Sequence, residues 1–368
     1  MATKLRGELE NSADNQERWL EFEASRPHPQ LGSPLIVWEQ SLIKGHPTHP
    51  VESSSELHGQ HQTSMRTISI PDFPFHLKMA LSFTITSATR TMTPWTTRMC
   101  IEVSGLLEDI VDPELLWIAR KRAAACSADP DFERAKHLSV MLREDPEPRA
   151  SGRGECLVLP AALFEVSSRG GEEEKERVGR AVELFELGSS VEAKREWFRN
   201  YTHLYFLSTL PLLLSHGICL ESHLQNLLAR FDTTTHTLRG FVYRDMGGLR
   251  MHKPTLAARG IRVRSADLVP GAVTLIEDLE PAWANAYHCL ENHLGGAMRG
   301  LGLQWGDGEE GKGGWGVVRE ELRKVLDGCA DPDGKREELW GFLVQPVVKR
   351  KAFLRMKVAG VYRGGDIC

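Results

Sequence analysis

The segment HGICLESHLQN, residues 216–226, follows one of the most apolar runs of the chain, LYFLSTLPLLL at 204–214, and YRDMGG comes after it at 243–248. On a helix, which turns about 100° per residue, Glu221 and Gln225 share a face, His223 lies nearly opposite Glu221, and Asn226 falls between His223 and Gln225. One face cannot hold them all. Either the helix edge borders a cavity that wraps around it, or these residues start a helix from a loop whose free N–H groups can meet an anion. The plain alternative is a solvated helix surface. Asp245 ends a candidate strand, just before glycines that let a ligand approach the backbone, although turn formation alone also suits it. Glu221, Asn226 and Asp245 carry hard oxygens. Such a trio suits magnesium, which takes a few protein oxygens and completes its octahedron with water and phosphate.

Outward from this core, composition sets bounds. A chain of 368 residues with 41% hydrophobic content buries a substantial core in two domains or one bilobal unit. With 45 Lys+Arg against 50 Asp+Glu, the net charge of -5 provides no global basic field for nucleic acid or an anionic membrane surface. Seven scattered cysteines without a CxxC pair argue against a disulfide framework and a zinc site, and point to reduced thiols in the cytoplasm. The N-terminus shows no secretory signal, and the apolar run at 204–214 is too short to span a bilayer.

Along the chain, the first sixty residues have no helical or strand period. In HLKMALSFTIT, residues 76–86, the odd positions are apolar and the even ones polar or small, the pattern of a half-buried strand whose odd face is core. SMRTISI at 64–70 reads as its neighbour across the turn PDFPF. Helices are expected over 105–125, 131–143, 172–187 and 191–210, with another starting at Pro211, and over 317–327 and 334–345. Residues 237–243 and 249–252 read as a hairpin closed by MGG, and 295–316 as a glycine-rich loop. The polar stretch REDPEPRASGRGE, 143–155, is the expected boundary. The domain reading is an N-terminal segment 1–62, a sheet region 63–155 that binds nucleotide and acid, and a helix-rich domain 156–368.

Two further clusters carry chemistry. Arg66, Lys78 and Arg90 lie on or beside the proposed strands, on a polar face that meets solvent or an anionic ligand. Fully extended, Lys78 and Arg90 would stand roughly 40 Å apart, so the chain must bend near residues 87–89 for both to serve one site. GHPTHP, 45–50, displays His46 and His49 from an extended, proline-bound loop, as surface groups or as ligands for a carboxylate, phosphate or metal.

GHPTHP, SMRT, KMALSFTITSATR, HGICLESHLQN and YRDMGG occur in the order seen in the aerobactin-type (IucA/IucC) family of NRPS-independent siderophore synthetases, which this chain resembles from about residue 36 onward. The resemblance implies an α+β, hand-like fold of mixed sheets with a helix-rich C-terminal half. It implies a ligase that adenylates citrate or a similar polycarboxylic acid with ATP and Mg2+, then condenses it with an amine, hydroxylamine or alcohol. By resemblance, Ser64, Arg66, Lys78, Glu221, Gln225, Asn226 and Asp245 bind ATP, and Glu221, Asn226 and Asp245 hold the metal. Thr86, Arg90, His223, His46 and His49 meet the substrate carboxylate, and Lys78, Arg90 and His223 act in catalysis. The partners are small molecules, with neither nucleic acid nor membrane, and a homodimer is compatible with the family. The chain departs from the family between Pro50 and Ser64, where a long segment with a His-Pro-Trp motif is contracted to thirteen residues, and VESSS replaces the usual basic residues. Two other readings stand beside this one. A kinase-type site also holds magnesium with an Asn and a later Asp, and the contraction fits a non-catalytic ligand-binding protein.

Overall fold

The computed structural model describes residues 28–41, 59–64, 66–81, 84–85, 88–166, 179–265, 274–304 and 313–345. Helix α1, Leu35–Gln40, precedes strands β1 Gln60–His61, β2 Thr67–Ser69, β3 Phe75–Met79, β4 Thr84–Ile85 and β5 Ala88–Thr89. Helix α2, Pro94–Ile110, leads to β6 Leu116–Ile118, β7 Lys121–Cys126, β8 Ser139–Glu144 and β9 Glu155–Val158. Helix α3, Val191–His216, is followed by β10 Ile218–Cys219, β11 Leu227–Asp232, β12 Leu238–Tyr243, β13 Arg250–His252 and β14 Leu275–Ile276. Helices α4 Glu280–Leu301, α5 Gly314–Gly328 and α6 Arg336–Leu343 follow, and short helices lie at Phe132–Ala135, Glu147–Ser151, Pro160–Leu163, Arg180–Leu184 and Lys253–Ala258.

The strands form a five-stranded sheet in the order β1-β2-β3-β8-β7, a four-stranded sheet β6-β12-β11-β9, a three-stranded sheet β10-β13-β14 and the pair β4-β5. The mixture of helices and separate sheets is the α+β class expected. In the four-stranded sheet β6 runs parallel to β12 and the other neighbours are antiparallel. Its strands are buried almost throughout, and α3 packs on β12 and α5. This sheet and the C-terminal helices hold the main apolar core, with Phe198, Tyr201, Phe206, Phe231 and Phe241 fully buried.

The five-stranded sheet is built the other way round. Thr67 pairs with Lys78, which faces Met141, while His76 faces Arg143, and all five side chains are buried together with Lys121. The opposite row, Ile68, Leu77 and Leu142, is only half-buried. The alternation was legible, but the expected core face is the outer one and the polar face is inside. The physical reason is charge compensation: carboxylates and carbonyls from the four-stranded sheet and its connections reach this face, so cations are buried there with partners. Helix α2 lies over β7, bringing Cys100 toward Lys78 and Lys121.

Several local expectations change. Residues 105–125 are not one helix: α2 ends at Ile110 and two strands follow, because Asp112-Pro113 breaks the helix and 116–118 pairs with β12. Residues 131–143 give one helical turn, Phe132–Ala135, and then β8, whose side chains alternate across a sheet. Helix α3 runs through Pro211 to His216, since packing on neighbouring elements outweighs one missing backbone donor. Of 172–187, the described part contains the short helix Arg180–Leu184. MGG closes no hairpin, because β12 and β13 belong to different sheets. Gly295 to Leu301 are helical, part of α4, where small residues allow close packing: a Cβ on Gly300 would lie 2.7 Å from the Phe164 carbonyl oxygen. Between β8 and β9 the chain makes the helical turn Glu147–Ser151 and passes from the five-stranded to the four-stranded sheet.

Helix α3 starts on Ser190, whose hydroxyl accepts from the Ala193 amide at 3.2 Å, and stops on Gly217, which adopts the left-handed conformation at φ 64°. That stop turns the chain out of the core and into the motif segment. A Cβ at Gly217 would also lie 2.9 Å from the His252 Cβ. Gly217→Ala should therefore cost about 1–3 kcal/mol of stability from backbone strain and crowding. A chemical melt that moves by less than its error would show that this helix stop bears no strain.

Candidate functional site

His216 ends helix α3, Ile218–Cys219 form β10, and residues 220–226 are a turn between strands, not a helix. β10 leaves Gly217, residues 220–226 cross over, and the amides of Asn226 and Leu227 both donate to the His223 carbonyl, at 3.0 and 3.3 Å. The wheel that set His223 opposite Glu221 therefore has no helix under it. Polar groups from the core hold the turn. The Tyr243 hydroxyl accepts from the Glu221 amide at 3.2 Å, and Tyr205 and Ser222 share a hydroxyl hydrogen bond of 2.9 Å. His293 Nδ1 lies 2.8 Å from the Ser222 carbonyl and its Nε2 lies 2.7 Å from the Tyr201 hydroxyl. A carbonyl only accepts, so Nδ1 carries the proton and Nε2 accepts from Tyr201.

This scaffold gathers the oxygen-bearing side chains. Asn226 donates Nδ2 to the Glu221 carbonyl at 3.0 Å and to its Oε2 at 3.3 Å. Glu221 in turn lies against the backbone of Gly248: a Cβ there would fall 1.9 Å from Oε2, so the second glycine of YRDMGG is what gives the carboxylate its place. Asp245 follows β12, accepts from the Gly247 amide through Oδ1 at 3.1 Å, and pairs with Lys78 Nζ through Oδ2 at 2.7 Å. The pair joins two sheets, and Lys78 is only 5% exposed. Burial works against the Asp245 carboxylate, but Lys78, Arg66 and Lys121 hold it well below the usual carboxylate range. The sequence pattern put Lys78 on a face that meets solvent or an anionic ligand; it is instead buried and paired, because Asp245 reaches it from a distant segment.

His223 accepts from the Gln225 amide at Nδ1, 3.3 Å away, so its ring proton sits on Nε2. Burial lowers its pKa, with Glu221 and Asp245 near enough to oppose that shift. Ser64 donates its hydroxyl to Thr67 at 2.7 Å and shapes the turn before β2. Arg66 reaches the carbonyls of Arg90 and Thr91 at 3.3 and 3.4 Å, so the chain does bend back between Lys78 and Arg90. Gln225 bonds the Thr63 hydroxyl at 3.0 Å. Thr86, His46 and His49 lie outside the described side chains.

Residues not singled out from the sequence complete the surroundings. Lys121, fully buried, donates to the carbonyls of Ala119 and Arg244, at 3.1 and 2.6 Å, and burial pushes its pKa well down. Arg143 donates to Gln62 and to His76 Nδ1, and His76 Nε2 lies 3.5 Å from Asp145. Arg244 pairs with Glu39 of α1. A glutamate within the apolar LIVWEQ and a lysine after WIAR were visible signals, but nothing in the sequence gave their partners. Among the described residues no three His, Cys, Asp or Glu side chains gather to hold a metal. Glu221, Asn226 and Asp245, two carboxylates and an amide, are donors of the kind that magnesium takes alongside phosphate and water.

Residues 53–165 match the IucA/IucC family, and residues 195–365 match the family described as ferric iron reductase FhuF-like transporter. The chain is 28% identical to the NRPS-independent siderophore synthetase-like protein ankE of Aspergillus thermomutatus, over 97% of this chain and 72% of that protein. It is 30% identical to the NRPS-independent siderophore synthetase rfs of Rhizopus delemar, over 82% of this chain and 45% of that one. The alignment to ankE covers 453 positions, more than this chain has, so the relative carries positions lacking here. Among solved structures, petrobactin biosynthesis protein AsbB of Bacillus anthracis superimposes with a TM-score of 0.64 at 19% identity, covering 79% of this chain and 49% of that one. ATP-bound aerobactin synthetase IucA of Klebsiella pneumoniae gives 0.57 at 16% identity, covering 78% of this chain and 50% of that one. The fold is that of the siderophore synthetases, of which this chain spans about half the length. Among the described residues no helix is long and apolar enough to cross a membrane.

His293 sets an expected pH dependence. Burial pushes its pKa down to about 3, so the folded protein keeps the ring neutral while the unfolded chain takes up a proton below about pH 6.5. Stability is then complete above that pH and falls as the pH drops from about 6.5 toward 3, by up to about 1.4 kcal/mol per unit. His76, His216 and His223 shift in the same direction through burial. In chemical denaturation between pH 7.5 and 5, His293→Gln should lower stability at pH 7.5 but flatten the acid slope. Parallel slopes for parent and variant would remove His293 from this role.

Proposed function

Because this chain carries an IucA/IucC family domain and is homologous over most of its length to NRPS-independent siderophore synthetases, we propose that it is an ATP-dependent ligase that adenylates a polycarboxylic acid such as citrate and passes the acyl group to an amine, hydroxylamine or alcohol. The observation that carries this reading is the convergence on the Lys78–Asp245 pair of segments far apart in sequence: SMRT, the Lys78 strand, the ESHLQN turn and RDMGG. Polar burial on this scale, at the junction of two sheets, is costly to maintain and marks a site rather than core.

The roles follow from donor chemistry. Lys78 has three N–H groups; Asp245 takes one, leaving the others for phosphate oxygens. Arg66 adds a second cation, placed where its charge acts on both members of the pair. Glu221, Asn226 and Asp245 would hold magnesium, which when bound polarises the α-phosphate and neutralises the departing pyrophosphate. A carboxylate oxygen of the acid attacks the α-phosphorus, the bond to the bridging oxygen breaks, and its electrons leave with pyrophosphate. The nucleophile then displaces AMP from the acyl carbon and loses its proton. With its proton on Nε2, neutral His223 is a donor, suited to orient the acid carboxylate rather than to remove a proton. The Arg90 carbonyl accepts from Arg66, and in this reading the Arg90 side chain supplies charge on the acid side. Assembly as a homodimer and a place in the cytoplasm belong to this reading.

With citrate and Mg-ATP, the protein should release pyrophosphate and AMP; ADP in their place would turn the assignment to phosphotransfer. Asp245→Asn and Glu221→Gln should each reduce pyrophosphate release by at least about 100-fold, and the double variant should be scarcely worse than either, because groups acting on one ligand are non-additive. Multiplying defects would place them in separate sites. Lys78→Met should also cost stability, about 3–5 kcal/mol, since it strands a carboxylate in a mostly buried position. A parent-like melting temperature would show that Asp245 reaches water instead.

A further inference from the structure

Helix α1 sends a carboxylate into the middle of the site's frame. Glu39 is 0% exposed, on a six-residue helix whose other inward residues are Leu35 and Trp38. Burying a carboxylate is costly without full compensation, so its partners define its purpose. One oxygen pairs with the Arg244 guanidinium. The other accepts from the Thr63 amide at 3.0 Å and from the Thr63 hydroxyl at 2.6 Å. Burial alone would push the Glu39 carboxyl up, but Arg244 and Thr63 together hold it below its ordinary value.

These bonds close a ring. The Thr63 hydroxyl also meets Gln225 Nε2 at 3.0 Å, and Arg244 Nε returns to the Gln225 carbonyl at 2.8 Å. A carboxylate only accepts, so Thr63 must spend its single proton on Glu39 and offer a lone pair to Gln225. The Gln225 amide is thereby held with its NH2 toward Thr63, which fixes the orientation of the group and leaves its oxygen, an acceptor, and one remaining N–H on defined sides. The ring also links three of the converging segments: Thr63 precedes Ser64, Gln225 precedes Asn226, and Arg244 precedes Asp245. Helix α1 is itself fastened at its first turn, where the Leu35 amide donates to Glu147 at 2.7 Å.

We propose that Glu39 is a positioning residue for the nucleotide site: through Thr63 it sets the orientation of the Gln225 amide, and through Arg244 it fixes the strand end that carries Asp245. This rests on the ligase reading above, in that the ligand is Mg-ATP. A purely structural clamp would give loss of stability with unchanged nucleotide affinity, whereas a positioning residue changes affinity in protein that remains folded.

The experiment measures Mg-ATP affinity by calorimetry, the KM for ATP in pyrophosphate release, and the melting temperature for the parent and three variants. Glu39→Gln should lower the melting temperature and weaken ATP binding by about tenfold or more, the scale of a lost hydrogen bond to a charged group. Thr63→Val leaves the Glu39–Arg244 pair in place and cuts only the path to Gln225; it should weaken binding about three- to tenfold and raise the KM for ATP more than it lowers kcat. Thr63→Ser, which keeps the hydroxyl, should restore the parent's affinity. If Glu39→Gln does not fold, the two Thr63 variants decide. A folded Thr63→Val with ATP affinity within about twofold of the parent, a difference too small for a lost hydrogen bond, overturns the proposal. A parent that binds no nucleotide rejects the ligase reading itself, and this role with it.

Discussion

A buried ammonium on one sheet and a carboxylate at the end of another define the centre of this protein. Lys78 and Asp245 are far apart in sequence, and their contact at 2.7 Å requires the five-stranded and four-stranded sheets to meet at a fixed angle and distance. Neither charge could remain in place alone, because an unpaired buried ion costs several kcal/mol. The two sheets are therefore tied by a contact that is also the centre of the proposed site. Around it, the His76–Arg143–Asp145 group, drawn from the five-stranded sheet and its edge, and the Glu39–Arg244 pair, which ties helix α1 to the end of β12, likewise bury charge beside compensating partners.

The turn that carries Glu221, His223, Gln225 and Asn226 shows how an apolar core supports such a polar centre. Beneath it are Tyr205, Tyr243 and His293, groups whose rings pack in the core and whose polar tips point at the turn, and Tyr201, whose hydroxyl holds His293 from behind. Aromatic residues with one polar atom suit this boundary, since the ring replaces water while the tip satisfies a backbone group. Rigidity of the turn follows, because each tip fixes one peptide or side chain. The second glycine of YRDMGG adds a steric condition: the Glu221 carboxylate occupies the volume that any side chain at 248 would take.

The family relationship and the site geometry fit together without either replacing the other. Homology to siderophore synthetases runs over most of the chain, whereas identity to the solved structures is low enough that only the fold carries over. The polar network gives that fold a reason to keep charged groups where a core would otherwise be. It also gives helix α1 work beyond packing, since Glu39 touches residues from the same segments that surround Asp245.

The sequence by itself determined the pairing of strands 67–69 and 75–79, the bend that a shared site for Lys78 and Arg90 requires, and, through the order of its motifs, a resemblance to the IucA/IucC family with the α+β class it implies. These rest on local rules: alternation marks a strand, prolines mark a turn, and short motifs keep their spacing. Tertiary structure alone decided which face of the Lys78 strand is inside, because alternation reports that two faces differ and not which one finds partners. It decided that 220–226 is a turn between sheets, since the tyrosines and the histidine that hold it come from distant segments. Long-range pairing also turned 116–126 from an expected helix into strands and sent 238–243 and 250–252 to different sheets. Glu39, Thr63, Lys121 and Arg244 acquire their roles only there, because a buried charge is intelligible only beside the group that compensates it.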